Sequence, residues 1–129
     1  MPKQLDDASF LRYLQKAVNA CVEYACEKVG VPVFTCSAEI LKSKTMLGHT
    51  KSSGYGSDIA IAINKNGFLA LSEREQAAVL IHEVCHGIVF HYVKRPSSGD
   101  SMLDSHGPTW RAAMKKCGMD PDDTLKGVV

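Results

Sequence analysis

The sequence predicts an α+β domain in which three helices pack on a small sheet of roughly three strands. An apolar stripe with helical spacing opens the chain over residues 7–28, and three short strand-like stretches follow it. A second helical run over residues 72–93, trailed by a shorter one over residues 109–117, completes the pattern. At 129 residues the chain is expected to be one domain, residues 1–129, with enough length to bury most of its surface. A net charge of +1 with 22% charged residues is ordinary for a globular protein, so composition alone does not mark a nucleic-acid binder.

In the first helix Phe10, Leu11, Leu14, Ala17, Val18, Cys21, Val22 and Ala25 recur at three- and four-residue steps, and Gly30 follows as a C-cap. That stripe is a packing face. Residues 31–37 are short, apolar and β-branched, with Pro32 near the start, and predict a first strand. Residues 44–51 are a weaker strand candidate, and Ser52-Ser53-Gly54-Tyr55-Gly56 reads as a turn. Residues 58–64 alternate Ile59, Ile61 and Ile63 with Ala60 and Ala62. Isoleucines toward a helix layer and alanines under thin cover suit a strand at the sheet margin, closed by Lys65-Asn66-Gly67.

Ser72 followed by Glu75 forms a capping box that starts the long second helix, and Pro96 after Lys94-Arg95 forbids its continuation. Residues 97–105 are polar and loop-like. Pro108 suits the first turn of the last helix, Gly118 lies just past its end, and the polar tail from Asp120 is expected to fray. Asp6, Asp7, Arg12 and Lys16 interrupt the start of the chain, so neither a secretory leader nor a membrane span is expected. Five cysteines form an odd set with no Cys-x-x-Cys pair, which predicts reduced thiols in a cytoplasmic compartment and argues against a zinc ribbon. Each reads as a small core residue, including Cys85.

The long helix carries His82-Glu83-Val84-Cys85-His86. Histidines four residues apart stand one turn apart on one face, so both rings can converge on one metal ion. Glu83 lies about 100° round the helix, where it can reach a water on that metal without being a ligand. Zinc lowers the pKa of such a water to about 7, and a carboxylate beside it can take the proton. The apolar flanks 77–81 and 87–90 place the motif in a buried helix, where unpaired imidazoles are costly and metal binding would satisfy them.

A catalytic zinc needs a third protein ligand and an open position. His91 lies off the ligand face, the compact spacing that wants a histidine ten residues after His82 meets Tyr92, and no glutamate follows Glu83. His106, at the entry to the last helix in Ser105-His106-Gly107-Pro108-Thr109-Trp110, is the remaining candidate.

His82-Glu83-Val84-Cys85-His86, followed twenty residues on by His106-Gly107-Pro108 and an aromatic at Trp110, resembles the SprT-like zinc metalloprotease family. The resemblance implies a zincin-like minimal fold, one catalytic Zn2+ held by His82, His86 and His106, Glu83 as general base and acid, and Trp110 packed beneath the site. It also implies a protein or peptide substrate and a possible association with DNA. A peptide adding antiparallel to the 58–64 strand would take main-chain hydrogen bonds that ignore sequence. The alternative is a non-catalytic, zinc-stabilised module that binds protein or nucleic acid.

Other candidates have plainer readings. His49, beside a glycine, is a surface or hydrogen-bonded histidine before it is a catalytic one. Tyr55 is a turn residue that could reach an oxyanion, and Asp100 or Asp104 could orient a ligand histidine. Lys94, Arg95, Arg111, Lys115 and Lys116 could contact phosphate, although cations at helix ends also complement helix dipoles.

Overall fold

The computed structural model of the chain describes residues 5–52, 58–92 and 106–129. The expected turn with Tyr55, the helix end at Lys94-Arg95-Pro96 and the loop carrying Asp100 and Asp104 lie outside the described residues. Helix α1, Asp7–Val29, begins where Asp6 Oδ1 accepts the Ser9 amide at 2.7 Å. It stops at Gly30, whose φ of +88° only glycine adopts cheaply and whose N–H reaches the Cys26 carbonyl at 2.8 Å. Phe10, Leu14, Val18, Val22 and Ala25 form its buried stripe. Burial of each larger side chain contributes ~1.5–3 kcal/mol.

Three strands make a mixed sheet in the order β1–β3–β2. They are β1 (Cys36–Ile40), β2 (Gly48–Ser52) and β3 (Ile59–Ile63). β1 runs parallel to β3 with Cys36 opposite Ile59, and β2 runs antiparallel with Gly48 opposite Ile63. Two expectations change here. The first strand is not residues 31–37: pairing starts at Cys36, opposite Ile59, and the earlier residues have no partner strand among the described residues, with Val33 exposed. The Ile/Ala strand is central rather than marginal. Both its edges are taken by β1 and β2, so no peptide can add to it. Its three isoleucines are buried, as the alternation predicts.

A short helix α2, Lys65–Leu69, replaces the expected strand closure. Asn64 caps it by accepting the Gly67 amide at 3.0 Å, and Phe68 anchors it in the core. Helix α3, Glu73–Tyr92, starts on the expected capping box: the Ser72 amide donates to Glu75 Oε1 at 3.0 Å and the Glu75 amide to Ser72 Oγ at 3.2 Å. From Val79 to Ile88 every residue of α3 is buried, so the helix is covered all round. Close approach to the sheet requires Gly87, where a Cβ would lie 3.2 Å from the Phe34 ring and 3.3 Å from Ile59 Cγ2.

Helix α4, Pro108–Lys116, has proline in its first turn and Gly118 at φ +79° just beyond its end. The tail does not fray. Val128 bridges Gly48 of β2, the Leu47 amide donates to the Gly127 carbonyl at 2.8 Å, and the Val129 amide to the Gly48 carbonyl at 3.1 Å. A short polar segment can dock when a strand edge offers unpaired backbone groups, which composition does not display. The described part of the chain is thus α+β, with four helices on a three-stranded mixed sheet.

Candidate metal centre

Helix α3 supplies His82, Glu83 and His86 from its buried middle, and the turn before α4 supplies His106. The three rings gather at centroid separations of 5.0 Å for His82–His86, 5.2 Å for His82–His106 and 5.0 Å for His86–His106. One potential ligand atom from each lies within 4.8 Å of the others. The Nε2 atoms of His82 and His86 stand 3.3 Å apart. Two ligands at zinc–nitrogen distances near 2.0–2.1 Å in a tetrahedron are about 3.3–3.4 Å apart, so this pair already has the spacing of a chelate.

Electrostatics favour the same use. Burial, then the neighbouring imidazoles, lowers the His82 pKa to about 4 and that of His86 to about 2. Both rings are neutral at neutral pH, and a neutral imidazole offers the lone pair that a cation needs. The three histidines therefore fit a metal ion.

Trp110 of α4 lies under all three rings, with centroids 4.8 Å from His82, 5.2 Å from His86 and 4.4 Å from His106. Its indole N–H donates to the His82 carbonyl at 3.2 Å, so one buried side chain ties α4 to the helix that carries two of the imidazoles. The docked tail brings the Val129 backbone beside the His82 ring. A small cavity of ≈ 30 Å³ beside His82 is lined by Val79, Met114, Leu125 and Val128 among others.

Glu83 is wholly buried. Thr50 Oγ1 on β2 lies 2.6 Å from Glu83 Oε1 and 2.9 Å from the Glu83 carbonyl. With one proton to give, the hydroxyl serves one of these acceptors at a time. The other carboxyl oxygen, Oε2, has no hydrogen-bond partner among the described residues. Burial raises the Glu83 pKa to about 8, against the lowering effect of the Thr50 hydrogen bond. Sequence reasoning missed Thr50, since a threonine in a short polar strand is unremarkable. The usable signal was strand alternation, which puts Gly48, Thr50 and Ser52 on the face that meets α3.

His49 does not join the ligand group, although its charge is close enough to act on His86. It sits in a row with Ala62 and Glu39, and burial lowers its pKa. His91 instead stacks on Phe34 at 5.1 Å. Cys85 is buried, and its thiol is stabilised by a hydrogen bond with Cys117 and by burial, so it is a core residue. Of the cations that could contact phosphate, Lys94 and Arg95 lie outside the described residues, and Arg111 pairs Nη1 and Nη2 with Asp122, at 2.9 and 3.0 Å. Lys115 and Lys116 complement the last turn of α4.

A buried helix bearing His-Glu-x-x-His, with a third histidine folded back onto it over a small mixed sheet, defines a metalloprotease-like domain. The chain belongs to the SprT-like family, whose sequence profile matches residues 14–126. No curated protein and no solved structure matches the chain significantly.

Proposed function

We propose that the chain is a zinc-dependent metallopeptidase acting on proteins or peptides, with His82, His86 and His106 as ligands and Glu83 as general base and then acid. The observation that carries this reading is the meeting of three imidazoles from two separate segments beside one fully buried carboxyl. When bound, zinc supplies an acidified water and a Lewis-acidic partner for the scissile carbonyl. Glu83 takes the proton as water attacks. The same carboxyl then returns the proton to the departing amine. Trp110 and the apolar flanks of α3 hold the three rings in place and keep bulk water from beneath them.

Substrate main chain is best accommodated along the outer edge of β2, the strand that carries Thr50 to Glu83. Gly48 spends its amide and carbonyl on the tail, so a peptide would pair from Thr50 onward. Such pairing ignores side chains and predicts broad sequence tolerance.

Hydrolysis of casein by the zinc-loaded chain, abolished by a chelator and restored by zinc, is the expected result. A chain that binds one zinc and cleaves neither casein nor itself is instead a metal-stapled binding module. Adding double-stranded DNA tests whether the substrates are DNA-associated proteins: a faster rate supports that class, and an unchanged rate removes it.

A further inference from the structure

We propose that Thr50 is a positioning residue for Glu83, holding one carboxyl oxygen so that the other is presented to the reacting water. This rests on the metallopeptidase reading of the same site. A fully buried carboxyl needs a partner, and Thr50 Oγ1, 2.6 Å from Oε1, provides it from thirty-three residues away in the chain. The tether leaves the two oxygens unequal. Oε1 is held, while Oε2 is buried and has no hydrogen-bond partner among the described residues.

The anchor itself is stiff. Thr50 lies mid-strand opposite Ile61 of the central strand, and its branched Cβ restricts the hydroxyl to few rotamers. The hydroxyl also lies 2.9 Å from the Glu83 carbonyl, so the alternative acceptor for its one proton belongs to the same residue. A carboxyl held from a strand is better placed than one left to rotate about three torsions, and small misplacements of a reacting group are costly in rate.

The test compares zinc-loaded wild type, Thr50→Val, Thr50→Ser and Thr50→Cys on labelled casein, with metal content measured for each. Valine keeps the shape without the hydroxyl, serine keeps the hydroxyl, and cysteine keeps the volume with a weak donor. The expected result is a kcat lower by ~10–100-fold in Thr50→Val, with KM within about twofold, metal content unchanged and near-complete rescue by serine. The infrared band of the Glu83 carboxyl, isolated as the difference against Glu83→Gln in the metal-free protein, should shift in Thr50→Val and stay in place in Thr50→Ser. Wild-type kcat and an unmoved band in Thr50→Val overturn the proposal. Should that variant not fold, equal kcat in wild type and Thr50→Cys overturns it as well. An inactive wild type sinks the metallopeptidase reading instead, and the infrared band still reports whether the hydroxyl holds the carboxyl.

Discussion

In the proposed mechanism Glu83 concentrates the chemistry into one side chain, and its replacement should separate metal binding from turnover. Glu83→Gln keeps the shape and the Thr50 contact but cannot accept a proton. It should retain one zinc per chain by elemental analysis while casein hydrolysis falls by ~10²–10⁴-fold. The same residue shapes the pH dependence of stability in the metal-free protein. His82 and His86 have folded pKa values of about 4 and about 2, below the 6.5 of a free imidazole. The unfolded chain therefore binds more protons below pH ~6.5, and stability rises with pH through that window. Glu83 acts oppositely: its folded pKa of about 8 exceeds the 4.5 of a free glutamate, so its contribution is lost as pH rises toward 8. Two histidines outweigh one glutamate below pH ~6.5, and above it Glu83 acts without them, at a slope of up to about 1.4 kcal/mol per pH unit. Urea unfolding of the metal-free chain should show a maximum near pH ~6.5. Glu83→Gln should lose the decline on the alkaline side.

At the level of elements, helices were legible and strand edges were not. The α1 stripe, the Ser72–Glu75 box and Pro108 are local signals, and each marks a boundary within a residue or two of the one observed. The His82–His86 pairing is equally local, and His106 was reached by elimination and by its Gly-Pro-x-aromatic context. What escaped depends on partners. The start of β1 is set by β3, the central place of the Ile/Ala strand by its two neighbours, and the order of the tail by β2. Thr50 escaped for the same reason, because its acceptor lies in another element. The tail offers a direct test. Gly127 has φ +88°, and a Cβ there would lie 2.8 Å from the Thr45 carbonyl. Gly127→Ala should cost ~1–3 kcal/mol in urea unfolding and speed amide exchange at Leu47 and Val129. Unchanged exchange at both amides would show that the tail does not need this turn.

Across the whole molecule, the three-histidine centre brings together parts that the fold otherwise links through Trp110 and core packing. An ion that binds only the folded chain adds stability by mass action, ~4 kcal/mol at a thousandfold excess over the dissociation constant. Zinc should therefore raise the melting temperature and a chelator lower it, with His106→Ala abolishing most of the difference. A melting curve indifferent to zinc would remove the ion from the fold's support. No helix among the described residues is long and apolar enough to cross a membrane. Trp110 is the chain's single tryptophan, and it touches every imidazole of the centre. Indole emission is quenched by nearby imidazolium and responds to charge brought against the ring. The molecule thus carries its own optical gauge: light from one fluorophore should report, without any added dye, how full the site is.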